Sequence, residues 1–477
     1  MLNDDYAFLS LTEQGRLFRS GELSPVALVE LYLDRIGRYS DTLKAFITVA
    51  ADSALARAKQ AEEELAAGND LGPLHGIPVA IKDQMLIKGM RVTGGSKIYA
   101  DHVADRDATV IARLRAAGAV FLGTLNTHEF HMGPTINFPY GTPRNPWNLS
   151  RNPGGSSSGS GTSLAAGLVS AALGGDTGGS IRGPAAACGI VGFKPTWSRV
   201  SRDGVFPLAW TLDCVGPMAR TVEDVAAVLK VIAGRDPLDP TTSRLPVPDY
   251  SRLVQDTSLA GLRVGVVKEM FTNDITSREA LDAVQVALDF LSAKGAELVE
   301  VSLPLMRETR FVSPGLTKPE AAAYHRRNLL ERYMDFDYNT RVSSMVGTIL
   351  PAGLANLAQR ARVVIGKQVT DALEHVDVLV GAGSAGGAVP ITDRPPIKTK
   401  QEALEKIYGV GKAAGQYTRV FSLAGTPAMA VPAGFTADGL PLSLHIAARL
   451  FDEATVLRVG HAFQLETDWH GRQPPIA

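Results

Sequence analysis

The stretch GGDTGGSIR, Gly174 to Arg182, sets a single serine behind two glycines and ahead of an alanine-rich run. Glycines let the backbone come close to a reacting group, and Ser180 stands where a helix would begin, so free amides and the helix dipole both favour an anion there. Just upstream, GGSSSGSG at Gly154 to Gly161 carries a second serine, Ser156, 24 residues before the first. In isolation that run has linker composition, yet it continues directly into TSLAAGLVSAAL, an apolar helix or strand run, and flexible linkers seldom sit between core elements. A nucleophilic serine needs a base and a hole for the oxyanion. The run GIPVAIKD, Gly76 to Asp83, reads as a buried strand that ends in Lys82, and burial can depress a lysine from about 10.4 by several units, far enough to act as a base near neutrality. Ser180, Ser156 and Lys82 form one candidate catalytic unit.

Outward from these motifs the chain alternates helix and strand. Ser24 and Pro25 start a helix with Val29, Leu33 and Ile36 on one face, and Asp52 to Ala67 reads as a second. Thr109 to Ala117 is a helix stopped by Gly118, and Ala119 to Leu122 a strand. Asn126 to Pro153 is a long Pro-, Gly- and Asn-rich loop, longer than a compact domain carries without a functional reason. Gly189 closes a short helix, Lys194 to Pro217 reads as a second loop region, and Val222 to Ile232 as a helix. Beyond the Pro- and Asp-rich segment Asp236 to Pro248 come a strand at Leu262 to Val267, a helix at Arg278 to Lys294 and a strand at Glu297 to Val301. Lys318 to His375 is mostly helical, Val376 to Val380 a short strand; Met429 to Ala433, Pro441 to Ala447 and a capped helix from Asp452 complete the pattern. The fold class is α/β: a mostly parallel or mixed central sheet covered by helices on both faces.

The bulk composition narrows the function. Forty-eight basic and 49 acidic residues leave a net charge of −1, which gives no global field for nucleic acid or an anionic membrane. The longest near-apolar run, Leu164 to Leu173, is well short of the about 20 residues a membrane helix needs, and the N-terminus has no secretory pattern. Cys188 and Cys214 are too few for a disulfide framework, so buried thiols in a cytoplasmic protein are expected.

Three other motifs do not hold. Gly381, Gly383 and Gly386 satisfy GxGxxG after a strand, but AVPITDRPP follows where a dinucleotide site needs a helix, so these glycines are read as a loop permitting close approach. HEFH, with His128, Glu129 and His131, lacks the i, i+4 histidine pair of a zinc helix. His75 is read as a structural histidine rather than a catalytic base.

Taken together, GIPVAIKD, PGGSSSGSG from Pro153 and GGDTGGSIRGPAAACGIVGFKPTWSRVS from Gly174 resemble the amidase signature family. LDCVGPMARTVEDVA at Leu212 to Ala226 and the stretch from Gly425 to Phe463 are similar to it as well. The resemblance implies a single amidase signature domain over 1–477, with core motifs in 74–235 and 376–470 and a divergent middle of about 237–375. It implies that Ser180 is the acylated nucleophile, Ser156 a bridging serine held by a cis peptide bond, and Lys82 the base. Backbone amides of Thr177, Gly178, Gly179 and Ser180 would hold the oxyanion, while Met132, Gly133 and Ser156 would bind substrate. Arg182 is read as a structural ion-pair partner. Neither metal nor cofactor is required by this chemistry.

The expected reaction is cleavage of an amide C–N bond, on small or aryl amides. A carbamate or urethane hydrolase with the same triad is the alternative, and a glutaminase subunit of a tRNA-dependent amidotransferase ranks below both. Specificity is assigned to Asn126 to Asn145, Trp210, the middle region and the glycine loop Gly381 to Gly387, whose small residues would widen the pocket. The partner is a small-molecule amide or carbamate, and a homodimer is expected from the prevalence of two-fold assemblies.

Overall fold

The computed structural model describes residues 2–271, 275–392, 399, 401–402 and 417–476. Eleven strands form one mixed sheet: β1 (Phe46–Val49), β2 (Pro78–Lys82), β3 (Val120–Leu125), β4 (Ala171–Asp176), β5 (Val191–Lys194), β6 (Cys214–Ala219), β7 (Arg263–Val267), β8 (Glu297–Val301), β9 (Val378–Ala382), β10 (Ala428–Phe435) and β11 (Pro441–Ala448). Their order across the sheet is β1-β3-β2-β4-β6-β5-β10-β11-β9-β7-β8. Two parallel wings, β3-β2-β4 and β9-β7-β8, flank an antiparallel centre.

The sequence accounts for this layering. Every position of β2, β4 and β6 is buried, as near-continuous apolar or small-residue runs become when helices cover both faces, whereas the edge strands β1 and β8 are partly exposed. Helices begin where short polar side chains take up free amides: Ser24 Oγ accepts from Ala27 N at 3.1 Å ahead of Pro25–Leu43, and Asp452 Oδ1 from Thr455 N at 3.2 Å ahead of Glu453–Leu465.

Some elements differ from the sequence reading. The run TSLAAGLVSAAL divides: the helix Ser158–Ala165 ends within it, and β4 begins at Ala171. The supposed loop Lys194 to Pro217 ends inside β6, which starts at Cys214, and β1 and β5 were not foreseen. The strand placed at Val376 to Val380 runs from Val378 to Ala382, so Gly381 is in the strand rather than the loop. The glycines nonetheless mark close approaches: a β-carbon at Gly381 would meet Met270 Sδ at 2.1 Å, and one at Gly383 would meet Ser443 Oγ at 2.1 Å. The middle region is helical, with Thr309–Tyr324 lying against Tyr338–Ile349 and Ala352–His375. No described helix is long and apolar enough to cross a membrane.

Candidate active site

Parallel strands β2 and β4 end on the same edge of the sheet, the edge at which open α/β sheets build their clefts. Lys82 is the last residue of β2, and Asp176 the last of β4, after which the chain turns through Thr177 to Ser180 into the helix Arg182–Cys188. Lys82 is wholly buried, and its Nζ donates to Ser156 Oγ at 2.8 Å and to the Gly175 carbonyl at 3.3 Å. Burial pushes its pKa down to about 7, against the opposing pull of Asp176 and Asp213.

The Gly155–Ser156 peptide bond is cis. The Ser156 carbonyl accepts from Thr127 Oγ1 at 2.9 Å and from His128 N at 3.3 Å, while the next amide, Ser157 N, donates to the Ser180 carbonyl at 3.2 Å. These bonds tie the two serine stretches to each other and to the loop after β3. Ser156 and Ser180 line one cavity of about 540 Å³, together with Met132, Gly133, Gly178 and Gly179. All three sequence-predicted catalytic residues meet there, with Lys82 behind Ser156.

The turn that leads to Ser180 needs glycine: Gly179 has φ +126°, and a β-carbon on it would meet Thr418 Oγ1 at 2.2 Å. The peptide between Gly178 and Gly179 is fixed at both ends, its carbonyl accepting from Thr418 Oγ1 at 2.8 Å and its N–H donating to Asp176 Oδ1 at 2.7 Å. Of the four amides expected to face an oxyanion, that of Gly179 is therefore turned to a buried carboxylate. The amides of Gly178 and Ser180 donate to no described residue.

Arg182 is fully buried and does not line the cavity. It pairs with Asp176 at 3.0 Å and donates to the Thr418 carbonyl at 3.1 Å and to Ser422 Oγ at 2.8 Å. Burial alone would raise the Asp176 carboxyl, but the Arg182 charge and hydrogen bonds prevail and hold it at about 2. The arginine supports the turn, as the structural reading expected.

His75 is likewise structural, buried with Nε2 at 2.7 Å from Glu64 Oε2. His128 and His131 line the cavity, and His131, pushed well below its ordinary pKa by burial, is a neutral wall. Among the described residues no group of three or more His, Cys, Asp or Glu side chains is arranged to hold a metal ion. Trp210 lines a smaller neighbouring cavity with Asp213, not the main one.

Three site residues escaped the sequence reading. Asp213 is half-buried, accepts from Thr177 Oγ1 at 2.5 Å, and is raised by desolvation to about 6; an acid immediately before an apolar run was its signal. Lys318 and Arg419 both line the cavity, and Arg419 could have been noticed as a charge opening the apolar run VFSLAG.

This fold and site define a mixed α/β enzyme of the amidase signature type. The chain belongs to the amidase family, whose profile, described as Amidase, matches residues 27–457. It is 41% identical to the A subunit of the glutamyl-tRNA(Gln) amidotransferase from Roseiflexus sp. (strain RS-1), over 98% of each chain. In structure it is similar to a chain from a vestigial protein complex bearing on the origins of an s-triazine catabolic enzyme, at TM-score 0.87 and 33% identity, covering 96% of this chain and 98% of that one. It also matches the peptide amidase of Stenotrophomonas maltophilia, at TM-score 0.83 and 31% identity over 99% of each chain.

Proposed function

We propose that this chain is one amidase signature domain that hydrolyses small or aryl amides through an acyl-enzyme on Ser180. The observation that carries the reading is the 2.8 Å contact of Lys82 Nζ with Ser156 Oγ, at the wall of the cavity that Ser180 lines. Neutral Lys82 takes a proton from Ser156, which takes one from Ser180 as its Oγ attacks the substrate carbonyl. The amides of Gly178 and Ser180 receive the oxyanion, framed by Thr177 and Gly179. When the C–N bond breaks, the relay returns a proton to the leaving amine, and water then releases the acid. Met132 and Gly133 border the acyl side. The chemistry uses no metal or cofactor. Buried, free Cys188 and Cys214 fit a cytoplasmic enzyme.

A second reading, the glutaminase subunit of an amidotransferase, is favoured by the name of the 41% identical relative. Free glutamine carries an ammonium as well as a carboxylate, and no Asp or Glu lines the cavity among the described residues, which favours the first reading. Aryl amides, aliphatic amides, carbamates and glutamine offered to the purified chain separate the two. The amidase reading expects amine release from amides without any partner protein, an acylated Ser180 peptide by mass spectrometry, and no turnover by folded Ser180→Ala. Turnover of glutamine alone, dependent on co-purifying subunits, would establish the second reading; carbamates turned over in preference to amides would make the chain a urethane hydrolase. Light scattering on the same sample tests the homodimer.

A further inference from the structure

We propose that the cavity selects amides that carry a carboxylate, held by Arg419 and Lys318. The inference rests on the reading of Ser180 as the nucleophile in that cavity.

Arg419 opens the helix Arg419–Ala424 and Lys318 lies on the helix Thr309–Tyr324, so two separate elements deliver one cation each to the same cavity. Arg419 lies over the nucleophile turn: a β-carbon on Gly178 would meet its Cγ at 3.6 Å and its Nε at 3.9 Å. Both side chains are half-buried, and neither makes an ion pair or side-chain hydrogen bond among the described residues. Among the described residues three of the four buried arginines are matched with acids, Arg182 with Asp176, Arg199 with Glu453 and Arg35 with Asp4, and the fourth, Arg220, gives its N–H groups to backbone carbonyls. Described residues lining the cavity include no Asp or Glu at all. Burial draws both cations below their ordinary pKa, and no charged neighbour among the described residues opposes that shift.

Half-buried charge without a countercharge costs free energy that a bound anion recovers. A guanidinium meets a carboxylate through two parallel N–H···O bonds, and an ammonium nearby adds a second charge-assisted donor. The described lining offers no acid to a ligand ammonium, so the proposed substrate class is an amide with a net negative charge rather than a zwitterion.

The test compares three acids with their neutral methyl-ketone counterparts, following amine or ammonia release: succinamate with 4-oxopentanamide, 4-carbamoylbenzoate with 4-acetylbenzamide, and N-benzoylglycine with N-acetonylbenzamide. The first two pairs place the carboxylate on the acyl side and the third on the leaving group. In at least one pair kcat/KM for the acid should exceed that for the ketone by about tenfold or more, and the ratio should collapse towards one in Arg419→Gln. Lys318→Met provides a second variant should Arg419→Gln fail to fold. Terephthalate binding by calorimetry reads the site independently of turnover, and Arg419→Gln should weaken it by about tenfold.

Ratios at or below one in all three pairs, with turnover still abolished by Ser180→Ala, would overturn the carboxylate inference and leave the nucleophile standing. Acid preference undiminished in both variants would overturn the assignment to these residues. Terephthalate that fails to bind, or binds both proteins equally, would do the same. Turnover that survives Ser180→Ala would bring down the nucleophile reading, and this inference with it.

Discussion

In the proposed relay Lys82 owes its reactivity to burial. An amine ordinarily protonated at neutral pH is brought to about 7 because no water solvates its charge, and the nearby Asp176 and Asp213 only soften that effect. The neutral base is therefore the form above about pH 7, and protonation below it stops the relay. The acid limb of kcat/KM should have its midpoint near 7, with activity falling about tenfold per pH unit beneath it. Lys82→Ala should lose about 10²- to 10⁴-fold in kcat and lose this limb as well. A pH–rate profile on both proteins checks this, and a limb that persisted unchanged in the variant would assign the base elsewhere. The grouping of Lys82, Ser156 and Ser180 was legible because each sits in a short local pattern: a lysine ending an apolar run, and two serines among glycines. Arg419 and Lys318 were not legible, since their significance lies in the carboxylate that does not face them, and only the fold brings residues 101 positions apart to one cavity.

Elements meet at the Asp176–Arg182 pair. The carboxylate ends β4 and takes the amides of Gly179 and Ile181, and the guanidinium reaches from Arg182–Cys188 to the residues around Arg419–Ala424 and to His445 on β11. Arg182→Met leaves Asp176 buried without its partner, so a loss of about 3–5 kcal/mol in unfolding free energy is expected by chemical denaturation. The nucleophile turn depends on the same carboxylate, so activity should fall in whatever fraction remains folded; a variant as stable as the parent would show that the turn is held by other means. Local patterns located most long elements to within a residue or two but failed where small residues carry no period. Ser158–Ala165, SGSGTSLA, and β4, AALGGD, are both rich in small residues, and neither the helical nor the strand repeat stands out. β6 reads CVGPMA, in which Gly216 and Pro217 imitate a turn, although the strand is buried along its length between β4 and β5.

On the scale of the molecule, the sheet and the helical middle divide the work. The C-terminal ends of β2 and β4 supply Lys82 and the turn to Ser180, while the helices Thr309–Tyr324 and Tyr338–Ile349 supply the facing wall through Ser313, Thr317, Lys318 and Ser343. The strand-to-loop passage after β9 adds Gly383, Ser384 and Ala385, whose small side chains leave the cavity wide. Specificity should therefore respond to the helical wall without touching the relay. Thr317→Trp fills cavity space with an indole while Lys82, Ser156 and Ser180 stay in place. The ratio of kcat/KM for a bulky anilide to that for propionamide should fall by about tenfold or more, since a pocket discriminates by about 1–3 kcal/mol per displaced group. The acid limb near pH 7 should stay where it is, because the Lys82 shift comes from burial, Asp176 and Asp213, and Thr317 carries no charge. Steady-state kinetics on both substrates across pH decides the matter. An unchanged ratio would place the bulky group against another wall, and a shifted limb would show that the helical layer reaches the catalytic lysine after all.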